Sequence, residues 1–212
     1  VKVIPTFDES DYGSSIPRLR KQLLENDIDI FIPMLSEWLF EPIIEAAQGT
    51  GIPIVASEHN NPWKIEELWW SKEKREEYFS KVDHIHLLLN TYKKSLPEHM
   101  QNRVTVIPNG VILPEKVNVG ERENLIIGVG RLAPQKRFDR LIVAVAMIKH
   151  ELRQRKYRVE IYGEGHLRQE LEEQITFEGV DDIITLKGNT DDMESVYRKA
   201  KMYAMPSEFE GL

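Results

Sequence analysis

The chain has 212 residues, of which 41% are hydrophobic and 30% charged, as expected of one or two globular domains. Its formal net charge of −7 disfavours a nucleic-acid-binding protein, which would carry a contiguous basic surface. The lack of cysteine excludes disulfides and thiolate metal sites and fits a reducing cytoplasm. No apolar run approaches the ~20 residues that a membrane-spanning helix needs.

The first half alternates short apolar runs with amphipathic stretches, which is the pattern of parallel strands joined by helices. The predicted strands are Val1–Ile4, Ile28–Pro33, Ile52–Ala56, Ile85–Leu89 and Val104–Ile107. The predicted helices are Ser15–Glu25, Glu37–Gln48, Ile65–Lys81 and Thr91–Met100.

One charged helix of this half is surrounded by aromatic side chains. It could lie on a membrane and receive a lipid-linked acceptor, or pack its aromatics in the core and leave its charges solvated. Acidic residues make up half of its charge run, which weakens attraction to anionic lipid and favours core packing. The aromatic residues are Trp63, Trp69, Trp70, Tyr78 and Phe79, around the charges of Lys72 to Glu77.

A turn and linker separate the two halves. Pro108, an Asn-Gly pair and a polar stretch reaching Asn124 mark it. We therefore predict a first domain over residues 1–110, a linker over 111–123 and a second domain over 124–212.

The second half repeats the alternation more regularly. Its predicted strands are Leu125–Val129, Val159–Tyr162, Ile183–Leu186 and Met202–Met205. Its predicted helices are Phe138–Leu152, Leu167–Phe177 and Met193–Ala200. Right-handed crossovers between such strands would produce a parallel sheet.

The segment from Gly128 to Lys136 follows a strand and precedes a helix that should begin near Arg137. Glycines allow close approach of the backbone to a ligand, and a helix N-terminus offers free N–H groups to an anion. Arg131 and Lys136 add two cations, which suits a diphosphate that gains charge as it leaves. An ordinary strand–helix turn with exposed basic residues is the alternative.

Two later loops also follow strands. Gly163 and Gly165 lie in a turn that needs no ligand to explain it. Glu208 and Glu210 follow the strand Met202–Met205, at the sheet edge where parallel α/β folds bind ligands. Because two positions apart on an extended segment share a face, spacing does not separate these carboxylates. A solvated loop charge is the preferred interpretation of Glu208.

Taken in this order, the segments resemble the retaining family 4 glycosyltransferases of GT-B fold, also called glycosyl transferases group 1. Residues Val106–Val111 look like the interdomain junction of that family, and the segment from Gly130 to Lys136 resembles its donor-diphosphate motif. Residues Pro206–Gly211 are similar to the start of its signature of two glutamates. The resemblance implies an α/β fold with two Rossmann-like parallel-sheet domains, both incomplete in this chain.

The resemblance also implies roles for residues of the second half. Arg131 and Lys136 would grip the donor diphosphate beside Gly130. Glu210 would be the first signature glutamate, which faces the donor sugar. The second glutamate, which holds the ribose, would fall beyond Leu212.

Further roles follow from the same resemblance. Gly163 and Gly165 match a turn bordering the nucleotide pocket, and Gly188 belongs to the segment whose backbone meets the base. His59 lies in a match to the acceptor-side loop and would face the reacting sugar across the cleft. A structural role for this lone histidine is equally open.

No metal site and no cofactor are expected. His84 and His86 are the one pair of histidines at close spacing, and no acidic or histidine partner for them is evident in the sequence. In enzymes of the GT-B fold, cationic side chains and helix N-termini take the place of the metal.

The function implied is transfer of a sugar, with retention, from a nucleotide-diphosphate sugar to a glycan or lipid-linked saccharide. The protein would act in the cytoplasm, with contact at the inner membrane face left open, and this fragment alone is not expected to be fully active. The alternatives are a non-catalytic nucleotide-sugar-binding fragment and a GT-B sugar-nucleotide epimerase.

Overall fold

The computed structural model describes residues 12–34, 40–111 and 120–211. These residues group into two compact units. The first ends at Val111 and also includes Glu210 and Gly211, and the second, as far as it is described, runs from Gly120 to Phe209. The predicted strand Val1–Ile4 and most of the predicted linker lie outside the described residues, so the domain boundary stays a prediction.

The first unit contains a parallel sheet whose described strands follow the order β1-β2-β3. The register pairs Ser57 of β1 with His86 of β2. Its elements are α1 (Tyr12–Glu25), α2 (Phe40–Ala47), β1 (Val55–Glu58), α3 (Pro62–Leu68), α4 (Lys72–Ser80), β2 (His84–Leu87), a 3₁₀ turn (Asn90–Ser95), α5 (Glu98–Gln101) and β3 (Val104–Val106).

The second unit contains a parallel sheet with the described order β6-β5-β4-β7. The chain starts in the middle of this sheet, builds toward one edge and then returns to the other side, so the order reverses beside β4. Its elements are β4 (Glu123–Val129), a 3₁₀ turn (Pro134–Lys136), α6 (Phe138–Met147), α7 (Lys149–Gln154), β5 (Arg158–Tyr162), α8 (Arg168–Glu178), β6 (Ile184–Gly188), α9 (Met193–Lys199) and β7 (Ala200–Tyr203).

Both sheets thus consist of parallel strands with helical connections, and the predicted α/β fold class is confirmed. In the second unit, helix α6 buries Phe138, Ile142 and Val145. This i, i+4, i+7 spacing forms the single apolar face expected of a helix that covers a sheet. Those side chains share a core with Val159 and Ile161 of β5.

Several aromatic residues of the first unit form part of its core. Phe40 stacks on Trp70 with ring centroids 5.3 Å apart and meets the edge of Tyr78 at 5.7 Å. Trp63 and Trp69 keep 45% and 38% of their surface exposed. Core packing is therefore the correct interpretation for Trp70, Tyr78 and Phe79. None of the helices in the described ranges combines the length and apolar character that a bilayer crossing requires.

The predicted strand Ile28–Pro33 is wrong. This segment contributes isolated parallel bridges, from Phe31 to Ile54 and from Met34 to Ser57. Pro33 and Pro53 have no N–H, so each of the two paired segments lacks a backbone hydrogen-bond donor. A continuous ladder of hydrogen bonds therefore does not form. The segment still lies along β1, because the Phe31 N–H donates to the Pro53 carbonyl at 2.9 Å.

Two predicted helices of the first unit are each interrupted. Ile65–Lys81 divides into α3 and α4 because Ser71 caps a new helix, accepting a hydrogen bond from the Lys74 N–H at 3.3 Å. Thr91–Met100 becomes a 3₁₀ turn followed by α5, with Pro97 as the N-cap residue between them. A proline there has no N–H to continue the first helix.

Two elements of the second unit also differ from prediction. Phe138–Leu152 divides into α6 and α7 at Ile148, where φ is −117°. The strand predicted at Met202–Met205 occurs at Ala200–Tyr203. Most of the remaining strand and helix boundaries in the described ranges differ from prediction by at most three residues.

Candidate functional site

A cavity of about 390 Å³ lies at the carboxyl ends of β4, β5 and β6. These ends lie next to the point where the strand order reverses, which is where doubly wound sheets bind ligands. Side chains and backbone from three separate loops meet there. Its lining includes Gly130, Arg131, Tyr162, Gly163, Gly188 and Thr190.

Glycine is required at the centre of this cavity. Gly163 has φ +135°, and a Cβ there would lie 2.0 Å from the carbonyl oxygen of Gly130. Its N–H donates to the Gly188 carbonyl at 2.8 Å. A Cβ on Gly165 would likewise lie 2.3 Å from the Leu132 carbonyl oxygen. The predicted residues Gly130, Gly163, Gly165 and Gly188 therefore lie in loops that pack closely against one another.

Gly163→Ala is expected to destabilise the second unit and to reshape this cavity. Backbone strain at such a φ costs about 1–3 kcal/mol, before the clash with Gly130 is counted. Gly120→Ala is the control, because a Cβ there meets nothing within 4 Å. Chemical denaturation measures the loss of stability, and titration with a nucleoside diphosphate measures the change in the cavity. Wild-type stability for Gly163→Ala would contradict this description of the turn.

The two predicted cations occupy different places around the glycine loop. Arg131 is exposed, lines the cavity and forms no ion pair with the residues described. The side chain of Lys136 runs across Gly130, because its Cδ lies 3.3 Å from where a Gly130 Cβ would be. Helix α6 begins at Phe138, close to the predicted start, and no side chain caps it.

Arg137 is a residue whose structural role the sequence did not reveal. It adopts the left-handed conformation, with φ 51°, between the 3₁₀ turn and α6. Its guanidinium pairs with Asp139 at 2.8 Å and with Glu208 at 3.3 Å. These bonds attach the loop after β7 to the start of α6. Positive φ at a bulky residue is uncommon and shows no signal in the sequence.

The structure distinguishes the two loop carboxylates. Glu208 is 48% exposed, pairs with Arg137 and lines a second cavity that does not include Arg131. Its N–H donates to the Gln135 carbonyl at 2.9 Å. Glu210 is half-buried and groups with the first unit. The preference for a loop-charge role at Glu208 agrees with these contacts, and the role of Glu210 stays a prediction.

His59 lies at the start of the loop after β1 and joins a chain of polar groups. Its Nε2 lies 2.9 Å from the hydroxyl of Ser57, which lies 2.7 Å from Nδ1 of His86. The Nε2 of His86 in turn lies 2.8 Å from the Ile107 carbonyl oxygen. The Ser57 hydroxyl therefore links His59 to His86. Burial lowers the pKa of His59, and His86 lowers it further, which favours the neutral form of the ring.

A buried ion pair anchors the base of the same loop. Glu58, directly before His59, accepts two hydrogen bonds from Arg75, with Nε at 3.0 Å and Nη2 at 2.5 Å. Arg75 also donates to Glu66 at 3.1 Å and to the Ser95 carbonyl at 3.2 Å. Burial raises the pKa of Glu58, and the guanidinium opposes that shift. The expectation of a solvated charged face is wrong for Arg75, whose side chain is 0% exposed.

Gly211 packs against the His59 loop within the first unit. A Cβ on Gly211 would lie 1.9 Å from the His59 carbonyl oxygen. The Tyr92 hydroxyl donates to the Gly211 carbonyl at 3.0 Å. Glu210 is therefore next in sequence to a residue that touches the His59 backbone.

The part of the chain that the structure describes contains no group of three or more His, Asp or Glu side chains placed to hold a metal ion. The second unit contains one candidate site, the Arg131 cavity, and the first unit contains another, the His59 loop.

Two family models match consecutive parts of the chain. Residues 3–113 match Glycosyltransferase Family 4, and residues 112–212 match Glycosyl transferases group 1. The chain is also 30% identical over 197 residues to a GalNAc-alpha-(1->4)-GalNAc-alpha-(1->3)-diNAcBac-PP-undecaprenol alpha-1,4-N-acetyl-D-galactosaminyltransferase of Campylobacter jejuni. That match covers 92% of this chain and 53% of the relative, so the chain spans about half of its length.

Solved structures of glycosyltransferases share the fold. A mutant of S. aureus TarM, in complex with Fondaparinux, alpha-GlcNAc-glycerol and UDP, has a TM-score of 0.73 at 19% identity, over 93% of this chain and 41% of that one. The pneumococcal O-GlcNAc transferase GtfA, in complex with UDP and GlcNAc, has a TM-score of 0.70 at 22% identity, over 94% and 41%. The predicted GT-B fold is thereby confirmed, and this chain belongs to Glycosyltransferase Family 4.

Proposed function

We propose that the protein carrying this chain transfers a hexose or N-acetylhexosamine from a nucleoside-diphosphate sugar to a saccharide acceptor, with retention of configuration. The cavity at the ends of β4, β5 and β6 carries this proposal. It places the Arg131 guanidinium beside loops whose tight backbone packing requires glycine. Family membership supports the same reaction. No metal or cofactor is part of the proposal.

In this proposal the leaving nucleoside diphosphate is stabilised by the second unit. Arg131 and Lys136 supply charge-assisted contacts to the phosphates, and the uncapped N-terminus of α6 adds N–H groups. Because charge on the diphosphate grows as the glycosidic bond breaks, these contacts strengthen in the transition state. The acceptor attacks from the face that the diphosphate leaves, which retains the configuration.

The acceptor side of the reaction is assigned to the first unit. His59 would contact the reacting sugar, and Glu210 would face the donor sugar. The Campylobacter relative is named for an acceptor joined to PP-undecaprenol, and we propose a lipid-linked saccharide acceptor here as well. The reaction would then occur in the cytoplasm, at the inner face of the membrane.

Replacement of the two cations tests the donor site. Arg131→Ala and Lys136→Ala should each weaken donor binding or turnover by about tenfold or more, since charge-assisted contacts are worth roughly 1.5–3 kcal/mol. UDP and UDP-N-acetylgalactosamine are the first ligands to titrate, given the ligands and names of the relatives. Arg140→Ala removes the same charge from the exposed side of α6 and should have little effect. Unchanged donor kinetics in both variants would refute the diphosphate role.

Product analysis of the full-length enzyme tests the reaction class. A new glycoside with the donor configuration supports the proposal. Isomerised donor would indicate an epimerase, and donor binding without any turnover would indicate a non-catalytic protein. Either result would overturn the transferase assignment.

A further inference from the structure

The hydrogen bonds around His59 have only one consistent direction when both imidazoles are neutral. The Ile107 carbonyl can only accept, so Nε2 of His86 carries the proton and donates at 2.8 Å. Nδ1 of His86 is then unprotonated and accepts the Ser57 O–H at 2.7 Å. Since the hydroxyl proton is committed, Ser57 accepts at 2.9 Å from His59, whose Nε2 must be protonated.

Two members of this series of hydrogen bonds lie on neighbouring strands of the sheet. Ser57 and His86 are register partners on the parallel strands β1 and β2, and Ser57 is 4% exposed. The two imidazoles meet edge to face, with ring centroids 5.6 Å apart. The ring orientation of His59 is therefore determined by strand pairing as well as by its loop.

We infer that Ser57 and His86 are positioning residues, which hold His59 as the Nε2–H tautomer and leave its Nδ1 as a hydrogen-bond acceptor for a sugar hydroxyl. In the part of the chain described, no protein group is hydrogen bonded to that Nδ1. A neutral acceptor can bind and orient a hydroxyl, whereas the other tautomer would present a donor at the same place. The role in transfer rests on the proposed function, but the tautomer does not.

The tautomer can be read directly from ¹⁵N-histidine NMR of the full-length enzyme at about pH 8, well above the ordinary histidine pKa of ~6.5. The His59 signals are assigned by difference with His59→Gln. The wild type should show an imine-type Nδ1 and a pyrrole-type Nε2. Ser57→Ala and His86→Phe should both produce a mixture of His59 tautomers. The first removes the hydroxyl that accepts from His59, and the second removes the ring nitrogen that commits the hydroxyl proton.

Turnover provides the second measurement. Ser57→Ala should lower kcat by roughly threefold to tenfold, the effect of one hydrogen bond, and Ser57→Thr should restore it by keeping the hydroxyl. Thr105→Val is the matched control. It also removes a hydroxyl that is hydrogen bonded to a histidine, since Thr105 of β3 lies 2.7 Å from Nε2 of His84 on β2. That variant should leave both kcat and the His59 tautomer unchanged.

The outcomes distinguish the tautomer of His59 from its role in the proposed transfer reaction. A single Nε2–H tautomer in both Ser57→Ala and His86→Phe would overturn the inference whatever the reaction is. Mixed tautomers with unchanged kcat would overturn the positioning role. Full activity of His59→Ala would overturn the role of His59 in the proposed function, and the positioning role with it. Mixed tautomers with a reduced kcat that Ser57→Thr restores would support the inference.

Discussion

Glu210→Gln is expected to lower the turnover of the full-length enzyme by about 10²–10³, the range measured when one electrostatic contact to a transition state is lost. The glutamine keeps the size of the side chain and removes its charge. In the proposed reaction this carboxylate would face the donor sugar, where positive charge develops as the diphosphate leaves. The measurement is kcat with saturating donor and acceptor.

Glu208→Gln is the matched control for this prediction. Its carboxylate pairs with Arg137 at 3.3 Å and is 48% exposed, so this surface pair contributes little to the stability of the loop. Most of the turnover should therefore remain. Equal losses in the two variants, or a larger loss for Glu208→Gln, would show that the signature is in the wrong register.

Arg75→Met should destabilise the first unit by about 3–5 kcal/mol, the cost of leaving a buried charge without its partner. The side chains of Arg75 and Glu58 are 0% and 1% exposed, so water cannot replace the lost bonds. Methionine fills similar volume, and most of the effect is therefore electrostatic. Urea denaturation followed by tryptophan fluorescence measures it, since Trp70 lies in the same core.

Two further variants separate charge from packing. Lys74→Met removes a cation from the same helix, but its partner Glu41 lies 3.6 Å away on the surface, so the change in stability should be small. The double variant Arg75→Met with Glu58→Gln removes both buried charges and should regain part of the lost stability. A double variant less stable than Arg75→Met alone would show that packing, not charge, dominates.

Local sequence patterns determined much of the second unit. Its strands β4 and β5 were predictable because each contains a short apolar run bounded by glycine or polar residues, which is typical of strands covered on both faces of a parallel sheet. The glycines of the loops that line the Arg131 cavity were also visible in the sequence. Their tight turns need that residue whatever the surroundings, as Gly163 with its φ of +135° illustrates.

Two features of the first unit were predicted wrongly from the sequence, namely one strand and the exposure of one charged side chain. Ile28–Pro33 has the composition of a buried strand, but prolines on both sides of the pairing leave only isolated bridges. The charge run of α4 was also misleading. Arg75 resembles its neighbours in sequence, and only the packing of α4 against β1 and α3 makes it a buried partner of Glu58 and Glu66.

By itself the sequence determined the α/β class, the family and the places where glycine loops follow strands, because these depend on residue types close together in the chain. Only the tertiary structure decided which distant side chains meet. Ser57 and His86 are 29 residues apart and become partners through strand register. A hydrogen bond between them depends on distances of a few tenths of an ångström, which no spacing in the sequence specifies.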